Sequence, residues 1–444
     1  MEVKANGVAS NGGINSMVIV HEKSSVLPAR PSENKYCDLI TFDLPYVTFH
    51  YNQKVILYPS PSKGFASMVE ALKKSLSEAL AYFYPLAGRL CLEDGILKVD
   101  CNDAGVDFIQ ASWSTMAVGD LAGPDSSPMM KDIVPFNDTL NLDGFFLPMV
   151  AVQATELKDG VALGIAFNHL ILDGYSTWHF MSSWTELCRG SKTISIPPSH
   201  DRALVRDTKV RLNITPPTSR GSATSGTHTE KPQLRGKIFH FSKEMIDKIK
   251  RRANKGREAK PFSSFQSLGA HLWQAVIRAR KLAPEEITVF TLFIDCRKRV
   301  EPPAPKGYFG NLIQGIYGAT AVGYLLSNDL PFAANMLQQV IDSHGDKAIN
   351  EQNEEWEKNP KLYGFSDAGM NCVTVGSSPR FEVYQNDFGW GKPVRVTNGC
   401  NNKFDGMVYL YPGKDEAGSV DVDIALLPQT MDLLECDAEF LMVN

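Results

Sequence analysis

The stretch Asn168-His169-Leu170-Ile171-Leu172-Asp173-Gly174 constrains this chain more than any other. It follows an apolar run, Val161 to Phe167, short and bounded enough to be a buried strand. It precedes a segment, Tyr175 to Cys188, in which Trp178, Met181, Trp184 and Leu187 recur at helical spacing. Ser176 and Thr177 are candidates to cap that helix, and Arg189-Gly190 to end it. A strand-to-helix corner puts His169 where a strand runs out, the place where α/β architectures set reacting groups. Imidazole titrates near neutral pH, so a histidine held there can take a proton from an incoming hydroxyl or amine and return it. Asp173, four residues on, is compatible with two orientations, toward the ring or away from it. A histidine satisfied in the core beside an aspartate that caps the next helix fits the same residues.

A second stretch lies far downstream. Asp387-Phe388-Gly389-Trp390-Gly391 sets two glycines around an indole and leaves no room for regular structure. The pair of motifs, His-x-x-x-Asp-Gly about two fifths along and Asp-Phe-Gly-Trp-Gly near the C-terminus, resembles the plant BAHD family of acyl-CoA-dependent acyltransferases. Tyr84 to Arg89, Asp295 to Arg299 and Gly307 to Asn311 extend the resemblance over nearly the whole chain, in the family's order.

Length and composition bound what such a chain does. With 444 residues, 43% hydrophobic and 21% charged, it has core enough for two domains of an ordinary globular protein. A net charge of −5 argues against a nucleic-acid partner, and the compact basic cluster Lys248 to Arg252 is too short to follow a duplex backbone. Eight cysteines without a Cys-x-x-Cys pair, and an N-terminus without an apolar core, imply reduced thiols and a cytoplasmic location. No apolar run approaches the length of a membrane span. The remaining histidines lack metal-ligand spacing, so no metal is expected. No Gly-x-Ser-x-Gly offers a covalent nucleophile, and Asp387-Phe388-Gly389 lacks the companion motifs of a kinase.

Along the chain, residues 1–16 read as a mobile tail and 17–196 as an N-terminal domain carrying His169. The proline-rich, aperiodic segment 197–236 is a crossover linker, and 237–444 a C-terminal domain in which part of 396–416 packs on the first. Helices are expected over Ala66 to Leu80, Ser242 to Arg252, from Ser263-Ser264 onward, and over Ala333 to Ile349. Gly95 to Asp107 reads as a hairpin. Phe146 to Thr155 should pair with Val161 to Phe167, and Ile287 to Ile294 and Asn371 to Val375 read as strands. Ser263 and Ser264 are N-cap candidates, and a helix N-terminus near Lys243, Lys248 and Lys250 to Arg252 suits the phosphates of coenzyme A.

The resemblance implies more. It implies an α+β, two-domain fold of the chloramphenicol acetyltransferase type, mixed sheets flanked by helices, with an active-site channel between the domains that Thr48 to Tyr51 help to line. It implies a monomer with acyl-CoA as co-substrate, a small-molecule acceptor and no permanently bound cofactor. His169 is then the general base, and Asp173 turns away from it to meet Arg297. Gly174 and the residues Asp387, Phe388, Gly389, Trp390 and Gly391 give structural support. Gly376-Ser377-Ser378-Pro379-Arg380 and Leu312 depart from the shikimate and anthocyanin branches. Gly376 to Phe381 and Asn398 to Gly406 look like the branch that holds cuticle-related proteins and a protein of salicylate formation. The expected reaction is acyl transfer to a plant specialised metabolite or cutin-type acceptor. A lyase releasing salicylate from an isochorismoyl conjugate is the alternative, and a non-catalytic binding relative a third.

Overall fold

The computed structural model describes residues 18–125, 128–219, 233–362 and 371–443. The N-terminal tail and the Ser- and Gly-rich part of the crossover, 220–232, lie outside the described residues. Among the described residues fifteen strands form three sheets: β1 (Ile19–Val26), β2 (Tyr36–Asp38), β3 (Asn52–Pro59), β4 (Arg89–Glu93), β5 (Ile96–Asp100), β6 (Val106–Trp113), β7 (Val150–Leu157), β8 (Gly160–Phe167), β9 (Arg235–Phe241), β10 (Ile287–Asp295), β11 (Ile313–Ala321), β12 (Cys372–Val375), β13 (Arg395–Asn398), β14 (Met407–Pro412) and β15 (Val420–Leu426). The α-helices among the described residues are α1 (Phe65–Tyr82), α2 (Val118–Leu121), α3 (Gly174–Cys188), α4 (Lys243–Ala253), α5 (Ser264–Arg280), α6 (Val322–Ser327), α7 (Leu330–Ser343), α8 (Asp346–Lys358) and α9 (Pro428–Glu435).

The first large sheet has the order β1-β6-β7-β8-β3-β13, the second β11-β10-β12-β14-β15-β9, and β2-β5-β4 is a small third. Both large sheets are mixed: β6–β7, β10–β12 and β12–β14 are parallel and the other pairs antiparallel. The strand β8 is buried along its whole length between β7 and β3, which is why its sequence is continuously apolar instead of alternating. Helices α1 and α3 cover one face of this sheet and are pinned together by Trp184, whose indole N–H reaches Ser75 Oγ at 3.0 Å. In the second body α5 is buried among α4, α7 and α9 around Trp273 and Phe290. Strand β13, although it follows the second sheet's β12 in the chain, pairs antiparallel with β3 and so belongs to the first sheet.

Several expected elements shift for local reasons. The helix α3 is capped by Asp173, not by Ser176 or Thr177: its carboxylate accepts the Ser176 N–H at 3.0 Å. β7 starts at Val150 rather than Phe146, because Pro148 has no N–H for the ladder. The hairpin turns at Asp94-Gly95 between β4 and β5, and the Asp103 to Gly105 turn leads onward to β6. The single helix expected over 333–349 is two, α7 and α8, parted at His344-Gly345. Among the described residues no helix is long and apolar enough to cross a membrane.

Candidate active site

Between the two large sheets lies a cavity of 970 Å³ lined from both. His169 is on its wall, two residues past the Phe167 that ends the buried strand. The corner is held by hydrogen bonds that the side chains of two asparagines make to its backbone. The His169 N–H donates to Asn141 Oδ1 at 2.9 Å, and Asn311 Nδ2 donates to the His169 carbonyl at 2.8 Å. The imidazole stacks on Tyr46, with centroids 4.7 Å apart and planes at 21°. Its Nδ1 is buried without a partner. Burial disfavours the imidazolium and holds the His169 pKa below its ordinary value, against the opposing pull of its own backbone, Asp173 and Asn311. The ring is therefore neutral at physiological pH, the state a proton acceptor needs.

Asp173 turns away from that ring. Its Oδ1 accepts from Ser176 N at 3.0 Å and Arg297 Nη2 at 3.1 Å, and its Oδ2 from Arg297 Nη1 at 2.8 Å and Leu312 N at 3.0 Å. Burial alone would raise its pKa, but the charge of Arg297 and these donors outweigh it and hold the carboxyl below its usual range. Arg297 also reaches Asp295 Oδ1 at 3.1 Å and the Gly310 carbonyl at 2.9 Å, and its guanidinium lies 4.4 Å from the Tyr175 ring centroid. Gly174 lines the cavity, and a methyl placed there would meet the Phe381 ring at 3.0 Å.

Sequence reasoning missed a second buried pair. Asp43 Oδ1 accepts from Arg202 Nη1 at 3.3 Å and from Asn311 Nδ2 at 2.9 Å, and Arg202 Nη2 donates to the Ile171 carbonyl at 3.1 Å. Asn311 thus couples this pair to the His169 backbone. Its neighbour Gly310 admits no side chain, since a methyl there would sit 1.2 Å from Arg202 Nη1.

The Asp387 loop is elsewhere. None of Asp387, Phe388, Gly389, Trp390 or Gly391 lines the cavity. Asp387 Oδ1 accepts the N–H groups of Gly389 at 2.7 Å and Gly391 at 3.0 Å, a tight turn that needs left-handed backbone at both glycines, φ +106° and +116°. The turn stacks Phe388 on Trp390 and drives Phe388 against Trp184 of α3 and Tyr58 of β3. The loop braces the helix that starts at Asp173 and the strand beside β8.

The channel wall and the basic helix differ from expectation. Phe49 lines the cavity, whereas Tyr51 is buried behind it, its hydroxyl donating to the Pro148 carbonyl at 3.1 Å. Ser263 and Ser264 are not brought to the cavity wall. Ser263 caps α5, its hydroxyl accepting the Gln266 N–H, while Gln266 Oε1 accepts the Ser263 N–H at 2.7 Å. Ser264 is exposed, and Asn254, at the basic end of α4, clasps Phe262 beside it through both backbone groups. Among the described residues no group of His, Cys, Asp and Glu could hold a metal ion.

Residues 16–441 match the family model described as the transferase family. The chain is 47% identical to the BAHD acyltransferase DCR of Arabidopsis thaliana over 95% of its own length and 92% of that protein's. It belongs to the BAHD acyltransferases. A second Arabidopsis relative, the protein Enhanced Pseudomonas Susceptibility 1, is 32% identical over 95% of this chain and 98% of that one. The fold is shared with vinorine synthase, with TM-score 0.75, 23% identity and coverage of 96% and 98%. It is shared also with Fusarium graminearum TRI101 crystallised with coenzyme A and T-2 mycotoxin, with TM-score 0.77, 19% identity and coverage of 92% and 98%. This BAHD member is an acyl-CoA-dependent acyltransferase of the chloramphenicol acetyltransferase architecture.

Proposed function

We propose that the protein, as a cytoplasmic monomer, moves an acyl group from acyl-CoA to the hydroxyl or amine of a small plant specialised metabolite or cutin-type acceptor, with His169 as general base. The observation that carries this is a neutral imidazole on the wall of a cavity to which both sheets contribute. His169 accepts the acceptor's proton as its oxygen or nitrogen attacks the thioester carbonyl. The carbon–sulfur bond then breaks, and the departing thiolate takes the proton from the imidazolium. Asp173 remains ionised against Arg297 and holds the corner. The coenzyme A phosphates rest at the exposed α5 N-terminus at Ser263 and Ser264, a reading supported by the basic end of α4 that Asn254 ties beside it. The eight unpaired cysteines support a reducing compartment.

Release of free thiol, followed over a panel of acyl-CoAs and acceptors, tests this. Turnover should fall about 100- to 10,000-fold in His169→Ala, the usual worth of a positioned proton acceptor. Initial-rate plots should intersect, because a parallel pattern is the mark of a covalent acyl-enzyme. Coenzyme A should raise the melting temperature of the wild type, and less so that of Ser264→Asp. A His169→Ala enzyme retaining more than about a tenth of the rate overturns the base assignment. Absence of thiol release with every donor turns the reading to the lyase or to a binding protein.

A further inference from the structure

Strand β3 turns one face to the cavity. Asn52 and Lys54 line the cavity on that face, and Ile56 and Tyr58 continue it into the core, while Val55 and Leu57 pack on the opposite side of the sheet. Lys54 shares the cavity wall with the aromatic side chains of Phe42, Tyr46, Phe293, Phe404 and Tyr409, with polar ones such as Asn402, and with the charged Glu355 and Lys361. Its Nζ donates to Asn398 Oδ1 at 2.5 Å and to Tyr411 Oη at 3.3 Å, both neutral acceptors. It lies 5.8 Å from the ring centroids of Tyr409 and Tyr411. No carboxylate among the described residues is within ion-pair distance. Asp423, whose field reaches it, pairs instead with Lys403 at 3.6 Å. An ammonium has three N–H donors, and a buried charge without an opposite partner is costly to keep. Burial draws the Lys54 pKa down to about 8, which still leaves the ammonium form predominant at neutral pH.

We propose that Lys54 is the seat for a carboxylate carried by one of the two substrates, its unmatched charge and remaining donor supplying the cavity with an anion site. The proposal rests on the acyl-transfer reading of the cavity. A lysine that only tied β3 and β13 to β14, through Asn398 and Tyr411, would be indifferent to the charge of what fills the cavity. That difference is measurable.

Wild type, Lys54→Met and Lys54→Arg are compared on two matched series. In one, aromatic and ω-hydroxy acids are offered as acceptors beside their methyl esters. In the other, glutaryl-CoA is offered beside butyryl-CoA with a neutral acceptor. The wild type should prefer the acid in one series, and that series names the substrate that carries the carboxylate. Lys54→Met should lose about 100-fold in kcat/KM toward the acid and stay within about threefold toward the neutral partner, as removal of one side of a buried charge contact requires. Lys54→Arg should keep most of the preference. Equal losses on acid and neutral substrates, or a wild type blind to the acid in both series, would overturn the proposal. A wild type that releases no thiol at all would overturn the acyl-transfer reading instead. Thermal shift by the same acids and esters still tests the seat in that case: an acid-dependent shift present in wild type and absent in Lys54→Met supports it, and no acid-dependent shift refutes it.

Discussion

Arg297→Ala and Asp173→Ala separate an architectural carboxylate from a proton relay. Removing Arg297 leaves Asp173 fully buried with two backbone N–H donors, Ser176 and Leu312, and no cation. Removing Asp173 leaves Arg297 with Asp295, half exposed, and the Gly310 carbonyl, but also takes away the cap of α3. Breaking a buried pair from one side costs about 3–5 kcal/mol, with Arg297→Ala expected at the upper end because its stranded partner is the deeper one. For 444 residues unfolding together, an entropy of ~2.1 cal/mol/K per residue gives about 0.9 kcal/mol/K, so each variant should melt about 3–5 °C lower. The double variant should be far from additive, because the second substitution no longer strands a charge. Calorimetry and thiol-release kinetics on the same preparations read both effects. An Asp173→Ala protein with wild-type melting and a rate loss equal to that of His169→Ala would refute the reasoning and place the carboxylate in the proton path.

Two further outcomes are expected. Burial holds the His169 pKa below that of a free imidazole, so kcat/KM should stay level through neutral pH and fall only on the acid side of the range where a free imidazole titrates. A limb centred above pH 7 assigns the base elsewhere. Gly310→Ala forces a methyl into Arg202 and should cost about 1–3 kcal/mol of stability, read by denaturant unfolding, with activity falling because Asn311 next to it holds the His169 backbone. Unchanged stability there would show that Arg202 can move aside.

The corner at His169 was legible because two periodicities meet there, a continuous apolar run for a strand buried on both faces and a helical stripe through Trp178 and Trp184. Arg297 was legible only through the family resemblance: its partner is 124 positions away, and no local pattern reports such a distance. Arg202 was not legible at all. It sits in an aperiodic, proline-rich crossover, where a lone arginine carries no sign of being buried. Lys54 had a faint signal, a single cation heading the apolar run Val55 to Tyr58 at the same parity as Asn52. The break between α7 and α8 was hidden because apolar residues continue at helical spacing on both sides of Gly345.

The pairing of β13 with β3 has a mechanical consequence. The four pairs from Arg395 with Leu57 to Asn398 with Lys54 stitch a segment of the second half of the chain onto the first sheet, directly beside the cavity. A hinge that swung the two bodies apart would have to strip that ladder and tear Lys54 from Asn398. The side of the cavity that Lys54 lines is thus a closed seam. Phe381, Phe404 and Trp356, half-buried side chains of the cavity wall, belong to no strand and are not held by that seam.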